Sequence, residues 1–159
     1  MINKLDLSGE WLLCLDKDCK GTDLVFNDTI NLPNTTSNAK KSEYNTERET
    51  GFLTDTYKFE GFAWFRKSVD FSALQCENLK LYLERTRITE LYIDGKKIGR
   101  QESLCTPHIY DLNEYIGTGV HEVTICVSNV GYKTKGGHLT SPDTQTNWNG
   151  ITGRIELIG

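Results

Sequence analysis

The sequence predicts an all-β sandwich, a single domain over residues 1–159, on three observations. Short runs of alternating apolar and polar residues recur along the chain, as in strands with one face buried. Turn residues separate these runs at the spacing of a sandwich, giving roughly nine to eleven short strands. Asp94-Gly95 sits between two such runs and is the strongest local hairpin signal in the chain.

The stretch around that hairpin, LKLYLERTRITELYIDGKKIG at 79–99, organises the rest. Leu79, Leu81 and Leu83 mark one face of its first run, and Thr89, Leu91 and Ile93 one face of the second. With Asp94 and Gly95 at the corner, Ile93 faces Lys96 and Leu91 faces Ile98, which opposes two aliphatic side chains on the core face. Such a sheet needs a second layer to bury its apolar side.

Taken in order, Trp11, Leu13 and Leu15 line one face of a first strand while Leu12 and Cys14 line the other, as in an inner strand. Residues 24–26 and 29–32 read as short strands, the second ending at Pro33, which has no amide proton for a ladder. Residues 34–49 show no apolar period and read as a long functional or mobile loop. In 57–71, Phe62, Trp64 and Arg66 alternate with Ala63, Phe65, Lys67 and Val69, and Gly61 marks a bulge or a close backbone approach. Pro107 makes 101–112 an edge strand or crossing segment, and 113–116 has room for one helical turn. In 120–129, Val123, Ile125 and Val127 point inward and Glu122, Thr124 and Ser128 outward. A second long loop, 130–148, precedes a last strand at 154–158.

Composition narrows the function. A chain of 159 residues buries roughly 70% of its unfolded surface without staples. The net charge of −4 leaves no basic field, and Lys40-Lys41 and Lys96-Lys97 are too short to make one, so no nucleic-acid partner is expected. No run is long and apolar enough to span a bilayer, and the first residues lack the apolar core of a signal peptide. The expectation is therefore a cytoplasmic protein with no membrane partner, or a secreted or periplasmic one if a leader was removed. Cys14, Cys19, Cys76, Cys105 and Cys126 are odd in number and scattered, which suits reduced thiols. The glycosylation-like triplets at Asn27 and Asn34 lack a secretory context.

A glycosidase needs two carboxyl groups across one sugar bond. The sequence offers Glu60, Glu84, Asp111, Asp143 and Glu156, yet no spacing pairs any two, and solvated or structural roles are expected for them. Glu84, close to Arg85 and Arg87, reads as half of an ion pair across the sheet. His108, His121 and His138 are too dispersed for a metal, Ser103 and Ser141 lack a nucleophile elbow, and the GKKIG turn is no phosphate loop, so no cofactor is expected. One segment, 138–149, has the composition of a sugar-contacting surface. Asp143, Gln145, Asn147 and Asn149 supply planar hydrogen-bonding groups around Trp148, whose ring suits the C–H face of a sugar. The same residues would also serve as a packed tryptophan with turn-capping amides.

Four segments, GFAWFRKSVDF, LERTRITELYIDGKKIG, SLCTPHIYDL and TQTNWNGITGRIEL, resemble in order and spacing the N-terminal domain of family 2 glycoside hydrolases, the β-galactosidase and β-glucuronidase family. The resemblance covers nearly the whole chain and implies a jelly-roll sandwich of the galactose-binding type. It implies also that the catalytic glutamates lie on a TIM barrel, beyond an immunoglobulin-like domain, outside these residues. The resemblance then implies a non-catalytic fragment of a larger enzyme of β-galactosidase type, one able to assemble as a homo-oligomer. The loop before the final GI and Arg strand reaches the sugar in some members, which puts Asp143, Gln145, Asn147, Trp148 and Asn149 forward as sugar-facing. A stand-alone carbohydrate-binding module and an oligomerisation domain are the alternatives.

Overall fold

The computed structural model describes residues 3–45, 56–132 and 147–159. Among the described residues fourteen strands run in chain order: β1 (Lys4–Asp6), β2 (Gly9–Asp16), β3 (Asp28–Leu32), β4 (Asn34–Thr35), β5 (Glu43–Tyr44), β6 (Tyr57–Lys58), β7 (Phe62–Asp70), β8 (Lys80–Leu83), β9 (Ile88–Ile93), β10 (Lys96–Gln101), β11 (His108–Asp111), β12 (Val120–Ser128), β13 (Gly150–Ile151) and β14 (Ile155–Ile158). Short 3-10 turns at Phe71–Ala73 and Asn113–Tyr115 are the only helical elements among the described residues. The second is the single helical turn expected there.

The strands form two antiparallel layers. One sheet has the order β1-β14-β8-β11, and the other β10-β9-β12-β7-β2-β3. Two ribbons, β13-β4 and β5-β6, sit apart from the main sheets. β8 and β9 are neighbours in sequence but lie in different layers, so the 79–99 stretch crosses the core between Leu83 and Ile88. Leu81, Leu83 and Leu157 from one layer meet Trp11, Phe65, Leu91, Ile93 and Ile125 from the other, all essentially excluded from water. Each such side chain contributes about 1.5–3 kcal/mol by burial.

The Asp94-Gly95 turn forms as expected, with φ of 49° and 82°, and pairs Ile93 with Lys96. Beyond it the register differs from the expectation: Leu91 pairs with Gly99, because a bulge between Lys97 and Gly99 leaves Ile98 as the extra residue. Tyr110 accounts for this. Its ring lies where a side chain at position 99 would stand, 3.2 Å from an ideal Cβ, so the one residue without a side chain occupies the paired position.

Residues 24–26 form no strand. The segment 17–27 lies instead over the outer face of the six-stranded sheet, where Gly21 approaches the Trp64 ring and the Phe26 ring sits 3.9 Å from the Arg66 guanidinium. Trp64 donates its indole N–H to Asp16 at 3.4 Å and packs against Tyr92. That cover also explains why Thr124, expected outward, is buried: it accepts a bond from Arg66 Nε at 3.2 Å; Ser128, also expected outward, is buried at the strand end, where it donates to the Val130 carbonyl at 2.8 Å. Gly61 does mark a close approach, with φ of 145° and the Asp16 carbonyl 2.9 Å from where a Cβ would stand.

Within the 34–49 loop, the described residues contain β4, a turn and β5. All five cysteines are unpaired. No helix among the described residues is long and apolar enough to cross a membrane.

Candidate functional site

The expected sugar-contacting segment arrives at one end of the sandwich, and its described part, residues 147–149, is held from several sides. Asn129, at the end of β12, is the anchor. Its Oδ1 accepts from the Gly61 amide at 2.9 Å, and its Nδ2 donates to the Phe59 and Asn147 carbonyls, both at 2.8 Å. Asn147 answers by donating its side-chain Nδ2 to the Asn129 carbonyl at 3.0 Å. A buried primary amide that spends both protons and its oxygen on three backbone groups fixes those groups relative to one another.

Trp148 is half-buried and takes its position from Arg87. The guanidinium lies 4.2 Å from the indole centroid, and Nε donates to the Trp148 carbonyl at 3.1 Å. Arg87 is 2% exposed, so this cation-π contact is desolvated and of the stronger kind, about 2 kcal/mol. Tyr132 lies on the same side: burial pushes its phenol up, and the Arg87 guanidinium partly offsets that. On the far side, Gly150 pairs with Thr35 and Ile151 with Asn34, while Thr86 Oγ1 donates to the Gly150 carbonyl at 2.8 Å. At Gly150, φ is 141° and an ideal Cβ would overlap the Asn34 carbonyl oxygen, so this junction admits only glycine.

The expected site residues therefore have different placements. Asp143 and Gln145 lie outside the described residues, as do His138 and Ser141. Asn149 is fully buried, with Nδ2 donating to the Val127 carbonyl at 2.9 Å and the Gly61 carbonyl at 3.3 Å, so its amide serves the fold. Asn147 and Trp148 stay partly exposed. The Oδ1 atoms of Asn147 and Asn149 are buried without a hydrogen-bond partner, which leaves two orphaned acceptors on the residues that flank Trp148 in sequence. Amide acceptors, an aromatic face and a guanidinium recognise hydroxyls and ring C–H faces; they do not relay protons.

The acids of the sequence reading are elsewhere. Glu84 forms its ion pair with Arg154, at 3.0 Å, rather than with its sequence neighbours Arg85 and Arg87; hydrogen bonds from Arg154 hold its carboxyl below the usual range. Glu156 lies 3.6 Å from Lys4, Glu60 3.7 Å from Lys58, and Asp111 caps the Asn113 amide. Asn129 and Arg87 are the residues that sequence reasoning missed. Asn129 closes the cleanest alternating run, where a polar residue reads as a strand end, and Arg87 lay next to a more obvious partner.

No family model matches the sequence. A putative β-glucuronidase of Formosa agariphila is 28% identical over 132 residues, 79% of this chain but 15% of that protein. Among solved structures, a Ruminococcus gnavus β-glucuronidase bound to D-glucaro-1,5-lactone superposes with a TM-score of 0.74 at 15% identity, covering 99% of this chain and 29% of that one. The Eisenbergiella tayi family 2 β-galacturonidase bound to galacturonate superposes with a TM-score of 0.69 at 15% identity, covering 99% and 24%. The chain thus spans under a third of the length of these relatives. Over its whole length it has the fold of the β-sandwich domain carried by family 2 glycoside hydrolases, the family that its sequence segments resemble.

Proposed function

We propose that this chain is the N-terminal, non-catalytic domain of a family 2 glycoside hydrolase, and that its Asn147–Trp148 segment faces the terminal sugar of a β-linked substrate. The observation that carries the reading is the match along 99% of this chain to a part, and only a part, of the uronidases. Asn129 and Arg87 present the segment, the exposed part of Asn147 and the Trp148 ring meet the sugar, and Asp143 and Gln145 complete the contact. Immunoglobulin-like and TIM-barrel domains of the same polypeptide are the partners, with hydrolysis assigned to the barrel, and the complete enzyme is proposed to be a homo-oligomer.

The names of the relatives favour a β-linked uronide over the galactoside that the β-galactosidase resemblance suggested. Turnover of nitrophenyl β-D-glucuronide and β-D-galactoside by this chain and by the longer polypeptide tests both parts. The expected result is hydrolysis by the longer polypeptide alone, faster on the glucuronide. Hydrolysis by the 159-residue chain that is lost on changing one of its own acids would overturn the proposal.

A further inference from the structure

A second surface lies close to the Trp148 segment and is built from other residues. β5 and β6 pair Tyr44 with Tyr57 and Glu43 with Lys58, and the ribbon forms one wall of a cleft of about 710 Å³. The lining also includes Leu15 and Lys17 of the β2 end, and Phe59 and Glu60 continue it from β6. A cleft of this size holds one or two sugar rings.

Four features of the lining point to a ligand. Tyr44 is 58% exposed, an unusual placement for a large aromatic residue in a short ribbon, yet its ring is braced edge-on by Tyr57 at 5.8 Å and 84°. A fixed, exposed ring is a stacking platform with little ordering cost. Ser42 Oγ is buried without a hydrogen-bond partner. Lys17 and Lys58 stand 3.6 Å and 3.7 Å from Glu43 and Glu60, beyond hydrogen-bond reach, so these ammonium and carboxylate groups remain able to bond a guest, whereas Lys41 is committed to Asp28 at 2.8 Å. Finally, the near balance of three ammonium groups against two carboxylates suits hydroxyls, which donate and accept at once, better than a strongly anionic polymer.

We propose that this cleft is a second carbohydrate-binding site, which takes a neutral, hydroxyl-rich sugar unit with its C–H face on Tyr44 and its hydroxyls on Lys17, Lys58, Glu43 and Glu60. Asn129 joins it to the Trp148 segment, because the same side chain holds both the Phe59 carbonyl in the cleft lining and the Asn147 carbonyl. The site does not rest on the catalytic reading of the complete enzyme.

The test is an NMR titration of the 159-residue chain, isotope-labelled, with cellotetraose and, in parallel, with tetragalacturonate. The expected result is millimolar binding of cellotetraose with shift changes centred on residues 41–45 and 57–60. Y44A is expected to weaken it at least tenfold and Y44F less than threefold, since the phenylalanine retains the stacking face. The exposed position of Tyr44 makes both variants suitable for folding checks by their unperturbed core resonances. Shift changes centred on 147–150, an unchanged affinity in Y44A, tighter binding of tetragalacturonate, or no response to cellotetraose at 20 mM, roughly the limit for a specific site of this class, would each overturn the proposal. Failure here would leave the turnover experiment, and the proposed function, untouched.

Discussion

Two buried polar clusters lie in this sandwich, and they differ in whether they close. Between the sheets, Thr89 on β9 meets His108 and Tyr110 on β11: Thr89 Oγ1 is 2.6 Å from His108 Nδ1 and 2.7 Å from the Tyr110 hydroxyl, whose single proton is shared between Thr89 Oγ1 and the Thr89 carbonyl, 3.1 Å away. His108 Nε2 lies 2.6 Å from the Ser103 carbonyl, so Nε2 carries the proton and Nδ1 accepts from Thr89. Every group in that cluster has a partner, and it rivets one layer to the other. At the end of the sandwich, Asn129 ties Phe59, Gly61 and Asn147 together just as firmly, but the oxygens of Asn147 and Asn149 are left over. A closed network specifies a fold by satisfying every member; the open one specifies a fold while leaving part of its hydrogen-bonding capacity unused.

Substitutions that break each cluster should separate these roles. The largest effect is expected from Gly150→Ala at the open end, where the new Cβ would meet the Asn34 carbonyl, a backbone atom that cannot turn away. A loss of about 4 kcal/mol, or failure to fold, is expected in urea unfolding. Asn129→Ala is next, with a loss of about 3 kcal/mol, because it strands the Gly61 amide and two carbonyls in the interior. It should also shift Trp148 emission. Thr89→Val in the closed cluster should cost about 1.5 kcal/mol and leave that emission unchanged.

A pH effect distinguishes the clusters without mutation. Burial holds the His108 imidazole below its ordinary value, with the Ser103 carbonyl acting weakly the other way. A depressed folded value means that the stabilising contribution is complete above the unfolded value, about 6.5, and is lost as pH falls from there through the lowered folded value. Protonation would place a second donor at Nδ1 against the Thr89 hydroxyl proton. Thermal unfolding between pH 7 and pH 5 should therefore show a fall that is smaller in His108→Phe than in the parent chain. The smallest effect is expected from Gln101→Ala. The Gln101 amide pairs with both the amide and the carbonyl of Ile109, in the manner of a missing strand, and covers the edge of β11. A loss of about 0.5 kcal/mol is expected, with faster hydrogen exchange at Ile109 as the more sensitive readout.

The difference between the clusters also explains what was legible in the sequence. Period-two alternation reported which face of β7, β9 and β12 meets the core, and Asp94-Gly95 reported the hairpin, because both are local consequences of strand geometry. The bulge at Ile98 was not legible, since it follows from Tyr110 on another sheet. Nor was the cover over Trp64, which turns an apolar 24–26 into a packed loop and buries Thr124. At the site, residue chemistry picked out Asn147, Trp148 and Asn149 together, but only tertiary contacts separate the buried Asn149 from its partly exposed neighbours. Asn129 and Arg87 act through backbone carbonyls distant in sequence, a role that no local pattern records.

The claim that the open cluster faces the sugar while the closed one only supports the fold is tested most directly by steady-state kinetics of the longer polypeptide on nitrophenyl β-D-glucuronide, comparing Asn147→Ala with Thr89→Val. The account predicts that kcat/KM falls on the order of tenfold or more in Asn147→Ala, beyond what its loss of the bond to the Asn129 carbonyl takes from Tm, and stays within about twofold in Thr89→Val at a comparable loss of Tm. An Asn147→Ala enzyme with full kcat/KM, alongside a Thr89→Val enzyme that has lost it, would contradict the account.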